Sequence, residues 1–382
     1  MSDFAVPLGC GQTEQFCENV VAVRTERRAA DVSVPGVPTS PTTIPSWHRG
    51  LPSETIPLER LRAASMVGPV DILEQVCVRA RARTGQVASE TLGPLTVRDF
   101  CRYAVAVGDN GYLAAARSAE ADGRPVQAPA LFVTGILGWE DGPATEDLYP
   151  DGLAPSASPC TDGLPVTQMH GGADVEISQL PTAGSVLQAD RRIEGATLKQ
   201  GRTGPFAVLR LATAFRDGDG NALITCRESI IVTSEAPGPQ RGDRPDQAGS
   251  TAPDPTAAEP ETPEPAPGIM SWTATHVQLF RFSAVSWNAH RIHYDLEFAR
   301  ESGFSGVLVQ STLHGELLAR AALTAAGDGA RLRRIAWRNR HPAFAGQTLR
   351  YQVAADGSPL AVTATGPHGR VCASADVHLD AP

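Results

Sequence analysis

Hydrophobic and polar positions alternate most cleanly toward the C-terminal end of the chain. Leu349, Tyr351 and Val353 alternate with polar neighbours, Leu360 and Val362 follow, and Val371, Ala373, Ala375, Val377 and Leu379 complete a third run. Alternation of period two marks a strand with one buried face. Asp356-Gly357-Ser358 and Gly366-Pro367-His368-Gly369 punctuate the runs, which read as an antiparallel meander with tight turns. Upstream, Leu313, Leu317, Leu318, Ala321, Ala322 and Ala325 recur at helical spacing and predict a mostly buried helix over 312–325. Val277 to Val285 reads as a strand ahead of it, and Leu296 to Ser302 as a short helix between the two.

The first half carries the same order of elements. Thr96-Val97-Arg98-Asp99 is a capping box, and Phe100, Tyr103, Ala104 and Val107 follow at helical spacing. After a Gly- and Pro-rich stretch come strands at Val186–Ile193, Phe206–Phe215 and Leu223–Val232, the last two joined by Asp217-Gly218-Asp219-Gly220. Two helices, each wrapped by an antiparallel sheet, make a duplicated α+β fold the expectation.

Composition sets the boundaries between these units. The chain has 382 residues with 36 Gly and 31 Pro, a length that suits two packed units with irregular additions. Residues 235–268 are rich in Pro and acidic side chains and almost free of large apolar ones. Such a segment cannot bury enough surface to offset its ordering entropy and reads as a disordered linker. The domain map is therefore an irregular extension over 1–68, a first unit over 69–234, the linker over 235–268 and a second unit over 269–382. The net charge of −9 argues against a general nucleic-acid surface. No apolar run approaches the ~20 residues that span a bilayer, and the N-terminus lacks the basic-then-apolar pattern of a signal peptide, so a cytoplasmic address is expected. Seven scattered cysteines, with no C-x-x-C pair, imply buried free thiols and no metal site.

Candidate chemistry concentrates in Trp287-Asn288-Ala289-His290-Arg291-Ile292-His293-Tyr294-Asp295. Histidine is the side chain best suited to proton transfer near neutral pH, and loops at element ends are where chemistry is mounted. Asn288 can hold a water or a carbonyl. His290, Arg291 and Tyr294 are candidate substrate contacts in the same loop. Arg331, Arg333, Arg334, Arg338 and Arg340 surround Ile335 and Trp337 on an expected strand. Of these, Arg338 and Arg340 are candidate contacts for phosphate groups.

From Phe282-Ser283-Ala284 through Asn288 to Asp295, the chain resembles the signature of MaoC-like hotdog hydratases and dehydratases. The branch it resembles has an N-terminal FAS1-like dehydratase domain and includes mesaconyl-CoA hydratases and 3-hydroxyacyl-thioester dehydratases. In the first half, Thr96 to Asn110 looks like that domain's opening helix and His170-Gly171-Gly172-Ala173-Asp174-Val175-Glu176 like its next strand. The resemblance covers most of 69–231 and 270–379. It implies a double-hotdog fold and hydration or dehydration at C2–C3 of an acyl thioester. It implies an acyl-CoA or acyl-carrier-protein substrate, no cofactor beyond the CoA or phosphopantetheine of the substrate, and neither nucleic acid nor membrane as partner. A homodimer is the oligomer to look for. By this resemblance His293 carries the proton and Asn288 holds the water or leaving hydroxyl. Because Asn cannot act as a base, His293 carries more of the proton traffic.

The sequence also departs from the family pattern. A His-Gly pair usually precedes the buried helix and brings its Gly amide to the thioester oxygen, whereas here Gln310-Ser311 stands in that place. Ser311, Gln310 and Thr312 are therefore candidates for stabilising the oxyanion or positioning water, and thioester hydrolysis on the same scaffold is the alternative reading. The first half, with Asp109-Asn110-Gly111 and no His after it, is expected to shape the acyl pocket and take no part in the chemistry.

Overall fold

The computed structural model describes residues 69–135, 142–154, 159–201, 204–234, 268–354 and 357–380. The N-terminal extension and nearly all of the expected linker lie outside the described residues.

Among the described residues, ten antiparallel strands form one sheet. Its first five are β1 (Val87–Leu92), β2 (Thr167–Ile177), β3 (Leu187–Gln200), β4 (Pro205–Arg216) and β5 (Ala222–Thr233). Its last five are β6 (Ile269–Thr273), β7 (Arg331–Asn339), β8 (Thr348–Val353), β9 (Leu360–Thr365) and β10 (Val371–Asp380). The order across the sheet is β1-β3-β4-β5-β2-β7-β10-β9-β8-β6. Each half of the chain thus supplies five adjacent strands, and β2 and β7 join them through Asp174–Ala336, Val175–Ile335 and Glu176–Arg334. Arg334 also forks onto both oxygens of Asp174 at 2.8 and 2.6 Å. At this seam a Cβ on Gly172 would lie 2.2 Å from the Trp337 carbonyl oxygen, and its φ of +133° is open only to glycine.

The helices are α1 (Pro69–Arg83), α2 (Val97–Val107), α3 (Asn110–Ala121), α4 (His276–Val285), α5 (Leu296–Glu301) and α6 (Ser311–Ala326). The 16-residue α6 is the centre of the second half. Leu313, Leu317, Leu318, Ala321 and Ala322 are buried in one core with Ile335, Leu349, Tyr351, Val362, Ala375 and Val377 of the surrounding strands. In the first half the 15-residue α1 lies on β3 and β4. Its Leu73, Val76, Cys77 and Ala80 pack with Ile193, Leu209, Leu211, Ile230 and Val232.

Two elements differ from the sequence reading. Val277 to Val285, read as a strand, lies in helix α4 (His276–Val285). Val277, Leu279 and Val285 fit a period of two, but Leu279, Phe282 and Ser283 are the buried set, spaced for a helix, while Val277 and Phe280 face solvent. The Thr275 hydroxyl accepts from Gln278 N–H and caps this helix. In the first half the Thr96 capping box forms as expected, but it opens the short α2. The long helix on that half's sheet is α1, which precedes all its strands.

Candidate active site

The residues between α4 and α5 set out the second half's polar loop. Ser286 closes α4 by donating its hydroxyl to Phe282 O. Trp287 follows at φ +50°, a left-handed conformation rarely held by a bulky side chain, and the chain reverses there. Asn288 Oδ1 then accepts from His290 N–H at 3.1 Å, which tightens the loop as an Asx turn. A single 3-10 turn, Arg291–His293, brings His293 inward, and Asp295 caps α5.

His293 is the loop histidine whose tautomer is fixed. It is 9% exposed, and its Nδ1 lies 3.0 Å from the Leu308 carbonyl oxygen. A carbonyl only accepts, so Nδ1 carries the proton and Nε2 holds the lone pair. Among the described residues Nε2 has no partner. Burial, reinforced by His290 alongside, lowers the His293 pKa to about 3. The ring is therefore neutral near pH 7, with a base aimed away from the backbone. The His290 ring sits edge-on at 5.6 Å, and burial takes its pKa to about 4. Its Nε2 is 3.9 Å from Asp151 Oδ2. With the ring neutral this is a polar contact and no ion pair.

The first half closes over this loop. Arg291 N–H donates to Asp151 O, and Arg291 Nη1 to Pro150 O. Gly152 presses on Ala289, where a Cβ would fall 1.9 Å from its carbonyl oxygen, and its φ is +86°. The other loop side chains serve the loop itself. Arg291 pairs with Asp295 at 2.7 Å and covers the Phe298 ring, and the Tyr294 hydroxyl donates to Ala289 O.

The head of α6 lies a few residues beyond Leu308. Gln310 is the N-cap and makes no side-chain capping bond, so the first amides of α6, among them Ser311 and Thr312, are without an intrahelical or side-chain acceptor. Gln310, 1% exposed, donates Nε2 to Leu279 O and Ser283 Oγ, both at 2.9 Å. It braces α6 against α4. The Ser311 hydroxyl is 2.7 Å from His170 Nδ1 on β2, and it accepts from Asn339 Nδ2 at 2.6 Å and Trp337 Nε1 at 3.3 Å on β7. His170, Asn339 and Trp337 were not among the candidate site residues read from the sequence. Arg338 and Arg340 are exposed, one within β7 and one just after it.

Two half-sheets joined edge to edge, each with a long helix packed on it, make a double hotdog. A family model for hydroxyacyl-thioester dehydratase type 2 matches residues 141–345. The chain belongs to this family, and its activity is the addition or removal of water on an acyl thioester. It is similar to the mesaconyl-C(4)-CoA hydratase of Chloroflexus aurantiacus, 28% identical over 214 residues, or 56% of this chain and 70% of that protein. Among solved structures it resembles a MaoC-like dehydratase from Phytophthora capsici, with TM-score 0.53 and 16% identity over 81% of this chain and 99% of the other. A second MaoC-like dehydratase gives TM-score 0.54 and 17% identity over 78% and 99%. Among the described residues no helix is long and apolar enough to cross a membrane.

Proposed function

We propose that the substrate is an acyl-CoA and that His293 moves the proton at its C2. The observation that carries this is the His293 tautomer: Nδ1 is committed to Leu308 O, and Nε2 is the lone pair left for substrate. In the dehydration direction Nε2 takes the C2 proton, charge moves onto the thioester oxygen, and the C3 hydroxyl leaves as water. Its proton comes from His293 or from solvent, because Asn288 can donate a hydrogen bond but cannot give up a proton. Asn288 has its Oδ1 tied to His290 N–H, which leaves Nδ2 to hold the departing or attacking water.

The enolate oxygen needs preorganised N–H donors, and the uncapped amides of Ser311 and Thr312 supply them. Ser311 offers its amide as a glycine would, with a side chain drawn off toward β2 and β7. Arg338 and Arg340, exposed and without an ion-pair partner among the described residues, receive the CoA phosphates. The similarity to a CoA-thioester hydratase supports CoA over a carrier protein. The test is a panel of enoyl-CoAs and 3-hydroxyacyl-CoAs read by mass spectrometry. Gain or loss of one water with the CoA retained is expected, and turnover of the same acyl groups only on a carrier protein contradicts the CoA assignment.

A further inference from the structure

The hydration chemistry leaves one buried polar chain unused. Ser311 Oγ, His170 and Glu228 stand in series, with His170 Nδ1 at 2.7 Å from the hydroxyl and Nε2 at 3.1 Å from Glu228 Oε1. The hydrogen positions follow from the neighbours. Asn339 Nδ2 donates to the His170 carbonyl as well as to Ser311, and Trp337 Nε1 can only donate. The two lone pairs of Ser311 Oγ are thus occupied, and its proton points to His170. Gly172 N–H also lies on Nδ1, at 3.3 Å, so Nδ1 is the acceptor and Nε2–H donates to Glu228.

Glu228 is held for this task. It occupies an inward position of β5, and Arg191 approaches its second oxygen at 3.3 Å. Burial works against its charge, but Arg191 and the His170 bond outweigh it and bring its pKa down to about 2. A hydroxyl within reach of an imidazole that is oriented by a carboxylate is the arrangement of an activated nucleophile. Asn339 Nδ2, at 2.6 Å, stays on Ser311 Oγ and steadies the charge that develops there when the proton leaves. His170 keeps about a fifth of its side chain exposed, and Ser311 stands at the open head of α6.

We propose that Ser311, His170 and Glu228 form an acyl-transfer centre that hydrolyses acyl thioesters through an acyl-serine. The proposal rests on the seating of the thioester carbonyl at the head of α6 given above. Ser311 Oγ gives up the long 3.3 Å bond from Trp337 Nε1, and the lone pair so freed bonds to the carbonyl carbon. The Ser311 proton passes to His170 Nδ1, and the carbonyl electron pair moves onto oxygen, facing the helix amides. The C–S bond then breaks, and the thiolate leaves with the proton from His170. Water attacks the ester carbon, giving a proton to His170, which returns it to Ser311 Oγ as the C–O bond breaks. Thioester and water become carboxylic acid and thiol, and the protein is unchanged. The first half supplies the base and its carboxylate, the second half the nucleophile.

A saturated acyl-CoA separates this activity from hydration, since it has neither a C2–C3 double bond nor a 3-hydroxyl. The full chain is incubated with it, free thiol is measured, and the protein is analysed for an acyl adduct. Enoyl-CoA hydration is followed in the same preparations. Expected are thiol release, an acyl group on the Ser311 peptide, and loss of both in Ser311→Ala. His170→Gln should lower thiol release by at least ~10³-fold, the scale for removing one member of such a group, with enoyl-CoA hydration within a few-fold of wild type. Glu228→Gln, isosteric and uncharged, gives the same direction if His170→Gln fails to fold. A protein that hydrates enoyl-CoA but yields neither thiol nor adduct overturns the centre and leaves hydration standing. Thiol release that survives His170→Gln also overturns it. A folded protein with neither activity overturns the seating of the thioester and the centre with it.

Discussion

At the residue scale, the chemistry depends on where two ring nitrogens point. His293 is fixed by Leu308 O and kept neutral by burial, so the role proposed for it falls to Nε2 alone. His293→Gln can keep a donor toward Leu308 O but has no base. It should lower hydration by ~10²–10⁴-fold, the range for one general acid–base group, while leaving the fold intact by circular dichroism. Loss of less than tenfold would assign the proton to another group. The loop motif made the position of His293 and Asn288 at an element boundary legible in the sequence, and the burial of the His293 ring came only with the fold. Glu228 was not picked out from the sequence, because its signal lies in phase and not in motif. Ile224, Cys226, Ile230 and Val232 are the inward positions of β5, and Glu228 falls among them. A carboxylate on an apolar face needs a partner. His170, 58 residues away in sequence, could not be paired with it without the sheet.

At the element scale, α4 and α6 are locked by one buried amide. Gln310 Nε2 bridges Leu279 O and Ser283 Oγ, so removing the amide takes a donor from two buried oxygens. Gln310→Ala should cost about 1–3 kcal/mol of unfolding free energy and raise KM, since the amides of α6 are positioned by the same contact. Chemical denaturation and steady-state kinetics read the two effects, and an unchanged denaturation midpoint would show that the brace contributes nothing. The α4 segment also shows why its helix was missed. Alternating Val277, Leu279 and Val285 mimic a strand, and only the partners Phe282 and Ser283 select the helical face. α1 was missed because its apolar face takes shape only against β3 and β4. The strands of the C-terminal meander, by contrast, were legible from alternation and turn residues, since each buries one face against α6.

At the scale of the whole molecule, two half-sheets meet at β2 and β7, and each half reaches into the other's business. Asp151 and Gly152 close over the Asn288–His293 loop, and Gly172 lets β2 lie against Trp337. Gly172→Ala should open this seam, with loss of thermal stability and of hydration together. Acid should weaken the whole assembly. His290, His293 and His314 are buried with pKa values lowered to about 4, 3 and 4. Between these values and the unfolded value near 6.5 the unfolded chain binds more protons, so stability falls as pH falls. Each histidine withdraws about 2 kcal/mol between pH 6.5 and 4.5. Glu316 acts oppositely. Burial raises its pKa to about 7, against the opposing pull of Tyr103 and Arg320, so the folded state gains about 2 kcal/mol from it over the same window. The net loss is on the order of 4 kcal/mol, visible as a falling Tm from pH 6.5 to 4.5. A flat or rising Tm would mean that these rings are not buried neutral.

The central claim is that His293 carries the C2 proton of a thioester. Its most direct measurement is isotope exchange in D2O, with a 3-hydroxyacyl-CoA as substrate and deuterium at C2 read by mass spectrometry. Reversible dehydration should wash deuterium into C2 with wild-type protein, and His293→Gln, folded but without a base, should leave C2 protiated. Deuterium entering C2 at the wild-type rate in His293→Gln would contradict the account.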